Sequence, residues 1–131
     1  MKTLLATLIL VFACLTTGCW PNIAGDVHVE EVKRLLSPDG KAEAIVQLTD
    51  GGATTSRSYS VFIAPKGAKP AEGNRTVTLE ASTLPSGDYG IIVSWTSPTT
   101  LEVRSEQVRK VFEIRTTVTI AGVAYHVQRK P

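Results

Sequence analysis

Asp26, His28 and Glu30 alternate along DVHVE. On an extended strand that spacing aims an imidazole and two carboxylates the same way, as a divalent-metal site would need. A solvated strand face explains the same residues, and the other histidine, His126, lies far down the chain. The next candidate is the run Thr54-Thr55-Ser56-Arg57-Ser58, which follows the glycine- and hydroxyl-rich loop Asp50 to Ser56, DGGATTS. Glycine-rich turns can present backbone N–H groups to an anion. No GxxxxGK[ST] pattern accompanies it, so a nucleotide loop is unsupported. Its hydroxyls are expected to satisfy the loop's own backbone. Asp50, Gly51, Gly52, Thr54, Thr55 and Arg57 are retained as a possible interaction loop. For nucleophilic catalysis the chain offers no GxSxG, and His28 and His126 have unrelated neighbours. Glu30 and Glu31 are adjacent, so on a strand they face opposite sides and do not form a carboxylate pair. No catalytic, cofactor-binding or metal-ligating residue is assigned, and the expectation is a non-enzyme.

Chemistry of another kind is offered by Cys19. Residues 3–18, TLLATLILVFACLTTG, follow a single Lys2, and no charge interrupts them until Asp26. A positive start, a short apolar run and small residues before a cut form the pattern of an export signal. The apolar stretch from Leu4 to Leu15 falls short of the roughly 20 residues that a spanning helix needs. Leu15-Thr16-Thr17-Gly18-Cys19 resembles a bacterial lipobox, with Thr16 where Leu is usual. That resemblance implies a diacylglyceryl group on the Cys19 sulfur and acyl chains such as palmitate. A short uncleaved anchor ending at Pro21, and ordinary signal cleavage, are the other readings. Cys14 and Cys19 are the only cysteines, so the exported part can form no internal disulfide. A free thiol in an oxidising compartment would be a liability, which lipidation removes. By resemblance to outer-membrane lipoproteins, Trp20 carries meaning too, because Asp there would favour retention in the inner membrane.

Composition narrows the rest. The chain has 131 residues, with 14 basic and 12 acidic residues for a formal net charge of +2. So balanced a charge gives no reason to expect nucleic acid as a partner. A hydrophobic fraction of 43% with 20% charged residues is that of a folding domain.

These residues must be positioned by short strands. DVHVEEVKRLL, residues 26–36, fits either a helical stripe or a strand. Ser37-Pro38-Asp39-Gly40 decides for a strand, because Pro38 presets φ, Asp39 suits the third turn position and Gly40 can take φ > 0. Such a turn closes a β-hairpin. Ala42, Ala44, Val46 and Leu48 then alternate, as do Tyr59, Val61 and Ile63, and Val77, Leu79 and Ala81. Pro65 to Asn74 read as an exposed loop. Ile91, Val93 and Trp95 form the next strand, Pro98 breaks it, and Leu101 to Arg104 resume. The last segment reads as one long strand with Phe112, Ile114, Thr116, Val118 and Ile120 on one face. It is followed by a turn at Ala121-Gly122 and a return through Val123, Tyr125 and Val127. Trp95, Phe62, Tyr59 and Tyr125 are expected in the core or on sheet faces. The mixed charges from Arg104 to Arg115 fit a solvated face.

SPDGKAEAIVQLTDGGATTSRSYSVFI (37–63) and LPSGDYGIIVSWTSPTTLEV (84–103) together resemble a family of small membrane-anchored bacterial proteins of unknown function. Its marks are SPDGK, a DCGATT-like loop and a later Trp strand. Here Gly51 replaces the loop cysteine, so a thiol role for that loop is absent from this chain. The expectation is a signal helix and signal peptide over 1–18, a tether over 19–25, and one all-β domain over 26–131. That domain is expected to be an antiparallel sandwich or strongly twisted sheet of about seven or eight strands. The protein is expected to be lipid-anchored in a bacterial cell envelope, facing the periplasm or the outside, and to bind or scaffold an envelope partner. The alternatives are an envelope inhibitor or immunity-type protein acting on a hydrolase through Asp50–Ser56 or Pro65–Asn74, and an enzyme with an unrecognised site.

Overall fold

Ser37-Pro38-Asp39-Gly40 closes a hairpin, as its residue types require. Gly40 takes φ 73° and its N–H reaches the Ser37 carbonyl at 2.9 Å. The strands on either side are β1 (His28–Leu36) and β2 (Ala42–Asp50). The computed structural model describes residues 26–52, 57–81 and 90–131, so the expected signal helix, Cys19 and the expected tether lie outside the described residues. Seven further strands follow: β3 (Ser58–Pro65), β4 (Arg75–Ala81), β5 (Ile91–Ser97), β6 (Thr100–Ser105), β7 (Val108–Ile114), β8 (Thr117–Ile120) and β9 (Val123–Lys130).

They form two sheets, ordered β1-β2-β3-β4-β7 and β5-β6-β9-β8. All pairs are antiparallel except β6 with β9, which run parallel with Leu101 opposite Val127. The expected all-β architecture holds, and of its two forms the chain adopts the sandwich. The described strands number nine, and one pair departs from the antiparallel expectation. A parallel pair needs a crossover, and here β7 and β8 supply it through the other sheet and back.

Alternation fills the space between the sheets. Ala44, Val46, Tyr59, Val61, Ile63, Val77 and Leu79 point inward from the first sheet, and Val93, Leu101, Val103, Val118, Tyr125 and Val127 from the second. Tyr59, Tyr125 and Leu79 are fully buried. Burying one such side chain contributes about 1.5–3 kcal/mol.

Two expectations about faces need correction. The segment from Phe112 to Ile120 is not one strand. Arg115 N–H bonds the Thr76 carbonyl at 2.6 Å, and the Thr116 carbonyl accepts from Val127 N–H at 2.8 Å, so within two residues the chain leaves one sheet and joins the other. Val118 and Ile120 enter the core, whereas Phe112 is 53% exposed. Phe112 is the residue skipped where the β4–β7 register shifts from Thr78↔Glu113 to Leu79↔Val111. A bulge residue loses its place in the alternation. It lies instead under the Lys110 ammonium, 4.9 Å from its ring centre.

Pro65 to Asn74 is surface chain but is not a protruding loop. It folds back over the outer face of the first sheet, where Ala68 packs against Ile45, Phe62 and Ala64. Gly67 N–H donates to a Glu43 carboxylate oxygen at 2.9 Å, Arg34 donates to the Ala68 carbonyl at 3.2 Å, and Lys66 N–H to the Lys41 carbonyl at 3.1 Å. Glu72–Asn74 form one 3₁₀ turn before β4. This cover explains why Phe62, an expected core aromatic, is buried on the face away from the main core.

Candidate functional site

The DGG loop joins β2 to β3, and its described parts are its two stems. Asp50 ends β2 and accepts twice: from Gly52 N–H at 3.0 Å on one oxygen, and from Arg57 Nε at 2.9 Å on the other. Gly52 takes φ 95°, a conformation that a side chain would oppose. The Gly52 N–H and then the Arg57 guanidinium hold the Asp50 carboxyl below the usual carboxylate range. Of the candidate interaction residues, Asp50, Gly51, Gly52 and Arg57 therefore belong to one assembled loop base, with Asp50 and Arg57 as its ion pair. Thr54 and Thr55 lie outside the described residues.

The strand directions place this loop. His28, at the start of β1, pairs with Asp50 at the end of β2, so the chain enters the sandwich beside the loop. Arg104 pairs with Lys130, and Glu106 N–H bonds the Gly90 carbonyl at 2.9 Å, which brings the last strand and the β6–β7 passage to this end as well. The 66–74 segment leaves β3 at its other end. The two stretches proposed as insertion loops thus sit at opposite ends of the first sheet and cannot present one surface.

The opposite end is built around the SPDG turn. Asp39 accepts from Ser37 Oγ at 2.5 Å, from Lys41 N–H at 3.0 Å and from Tyr125 Oη at 2.8 Å. Those donors, the Ser37 hydroxyl foremost, lower the Asp39 pKa. Tyr125 meets the edge of Trp95 at 6.0 Å and 71°, and Trp95 Nε1–H donates to the Leu35 carbonyl at 3.2 Å. This group ties the second sheet to the first hairpin of the other sheet. Trp95 and Tyr125 serve packing and hydrogen bonding here, as expected of them.

The Asp26-His28-Glu30 alternation does not assemble further. His28 Nε2 and Glu30 lie 3.7 Å apart on an exposed strand. Among the described residues no three His, Cys, Asp or Glu side chains gather as a metal site. The chain positions one cluster that spacing does not reveal. Glu102, buried on the outer face of the second sheet, takes Arg104 Nε at 2.6 Å and Lys130 Nζ at 2.8 Å. Lys130 and then Arg104 hold its carboxyl below the usual range. Glu102 and Arg104 are visible as an alternating pair, but Lys130 arrives through the parallel β6–β9 pairing, which no local pattern signals. Each Glu102 carboxylate oxygen takes one of the two cations, whose side chains reach it from the exposed surface. Compared with known protein families, with curated proteins and with solved structures, the chain matches none.

Proposed function

We propose that this chain is a bacterial cell-envelope lipoprotein, anchored through Cys19, whose β-sandwich binds or scaffolds a partner at the membrane and breaks no bonds. The observation that carries the binding reading is the preorganised base of the β2–β3 loop. Asp50, Gly52 and Arg57 fix the loop's stems on a rigid sheet, and loops held by a rigid scaffold are where recognition concentrates. The anchor rests on the sequence from Lys2 to Cys19. From Cys19 to His28 the chain, fully extended, reaches at most about 32 Å, and Asp50 lies one strand spacing, about 5 Å, beyond. Because the chain enters the sandwich beside Asp50, a lipid at Cys19 keeps the loop within that combined distance of the bilayer and favours a membrane-proximal partner. More than one buried acyl chain makes such anchoring stable.

Intact-mass measurement on the membrane fraction tests the anchor: a diacylglyceryl adduct on a new N-terminal Cys19 is expected, and Cys19→Ser should release the protein. Photocrosslinkers placed at Thr54 or Thr55 in living cells test the loop. A discrete adduct lost on Asp50→Ala supports the reading. Equal labelling from Thr54 and from Thr119, on the far sheet, overturns it. An adduct with a wall-degrading hydrolase would make the partner the target of an inhibitor.

A further inference from the structure

We infer that the exposed edge of β1 is an interface for a second copy of this chain, pairing antiparallel about a two-fold axis. Among the described residues β1 has a strand neighbour on one side only, β2, although it is nine residues long. An edge of that length offers a row of backbone donors and acceptors. Val27, Val29 and Leu36, at or beside this edge, are 62%, 52% and 47% exposed, and only Ile92 and Phe112 among the described large apolar residues are comparably open.

The other edges are interrupted, short or tied by a side chain to the first sheet. On β7 the adjacent cations Arg109 and Lys110 and two register shifts interrupt the edge. At four residues, β8 is too short to be a template. Trp95 ties β5 to β1 by its bond to the Leu35 carbonyl. Charges also line β1, and charge on an edge normally prevents pairing. Here the charges are ordered: Glu30 and Glu31 precede Lys33 and Arg34. Antiparallel self-pairing lays the acidic half of one copy on the basic half of the other, so the guard against other strands becomes attraction between copies. An isologous contact of this kind closes and does not propagate.

The register follows from the bulge. The β1–β2 pairing skips Val32, between Glu31↔Gln47 and Lys33↔Val46. Glu30, opposite Leu48, and Lys33, opposite Val46, therefore share the core-side face, whereas Val29 and Arg34 share the other. A two-fold axis normal to the sheet keeps each face on its own side. It must then pass between Glu31 and Val32 to set Glu30 against Lys33 of the second copy, and Val29 against Arg34. Arg34 is already held by Glu31 and Glu43. Among the described residues Lys33 has no ion-pair partner, and Glu30 has only the imidazole 3.7 Å away. The Glu30–Lys33 pair across the axis is thus the new contact.

The chain's own cysteines are confined to Cys14 and Cys19, which makes the test sharp. In the full-length chain carrying Cys14→Ser and Cys19→Ser, Glu30→Cys and Lys33→Cys are prepared separately and oxidised alone or mixed. Because of the bulge, copies of residue 30 lie about two residues' rise, ~7 Å, apart along the strands and one strand spacing, ~5 Å, apart across them, so their Cα atoms are roughly 8 Å apart, beyond unstrained disulfide reach. The expected result is a disulfide dimer in the mixture and little in either variant alone. Independently, sedimentation should show Glu30→Lys weakening the dimer by about tenfold and Glu30→Lys with Lys33→Glu restoring it. A monomer throughout, as a different protein's strand on this edge would give, or disulfide yields indifferent to mixing, overturns the inference.

Discussion

Tyr125 donates to Asp39 at 2.8 Å, joining β9 of one sheet to the turn between the first two strands of the other, 86 residues away in sequence. Turn residues such as Asp39 are chosen for local geometry. This one is also the acceptor that lets a tyrosine lie fully buried, since a buried hydroxyl needs a partner. Tyr125→Ala should cost about 3 kcal/mol in denaturant unfolding, from lost burial and the cavity left. Tyr125→Phe keeps the ring against Trp95 and should lose only a fraction of that. Equal losses would mean that the hydroxyl, not the packing, holds the two sheets at this end.

The same pair sets the alkaline limit of stability. Burial and then the Asp39 carboxylate push the Tyr125 pKa up to about 12, against about 10 in an unfolded chain. A group whose folded pKa is raised contributes stability that is complete below the unfolded value and is lost as pH rises through the folded one. Unfolding free energy should therefore fall between about pH 10 and pH 12. In Tyr125→Phe that decline should be smaller. Tyrosinate absorbance followed alongside denaturant melts checks both statements.

Two turns make opposite demands on their residues. Gly40 takes φ 73° with open space where a Cβ would project, so Gly40→Ala meets only backbone strain. About 1 kcal/mol of destabilisation is expected. In the β8–β9 hairpin, Ile120 pairs with Val123 across a two-residue turn in which Ala121 and Gly122 have φ 49° and 79°. That is the twist of the Asn-Gly hairpin turn. Ala121 carries the left-handed strain without the side chain that tolerates it, so Ala121→Asn should stabilise by roughly 0.5 kcal/mol. Thermal melts of the two variants should move in opposite directions.

What could be read from residue order was whatever is decided locally. SPDG forced a hairpin and so settled β1 as a strand over a helix-like stripe. Period-two runs in β2, in β3 and, through Val77 and Leu79, in β4 named their core faces correctly, while the side chain of Ala81 lies outside the described residues. Phe112 shows where this stops: the run from Phe112 to Ile120 alternates well, yet a bulge and a change of hydrogen-bonding partner at Arg115 and Thr116 divide it between sheets. Such a change is decided by the strands already present, β4 and β9, and not by the segment itself. Asp50 and Arg57 were both named in the β2–β3 loop from their place in one hairpin, but their ion pair was not. The Glu102–Lys130 contact was not either, since it depends on a parallel pairing made through a crossover.

The 66–74 segment offers a test of how a surface loop is held. Arg34 bridges Glu31, Glu43 and the Ala68 carbonyl, while Ala68 covers Ile45 and Phe62. Phe62→Ala should cost about 3 kcal/mol, because Phe62 is buried beneath that segment. Arg34→Ala leaves the apolar contact in place and should lower global stability far less, while speeding amide exchange at Gly67, whose bond to Glu43 it exposes. Unchanged exchange at Gly67 would show that the apolar contact alone pins the segment.

Glu102 is the carboxylate whose protonation should be felt most directly in the second sheet. Lys130 and Arg104 lower its pKa, so the native state releases this proton more readily than the unfolded chain. Such a group contributes stability above the unfolded carboxyl pKa, near about 4, and the contribution is lost as pH falls through the lower folded value. Asp39, Asp50, Glu31 and Glu43 are shifted the same way and add to acid sensitivity. Glu102→Gln removes the charge but keeps a side chain able to accept hydrogen bonds, leaving Arg104 and Lys130 facing each other. The variant should be less stable than the parent at neutral pH, and the gap should close in acid, where the parent's Glu102 is protonated too. Denaturant melts at neutral and acid pH measure the gap directly. A gap that stays constant with pH would mean that Glu102 acts through shape alone, and that the pair of cations on the strand ends tolerates its own repulsion.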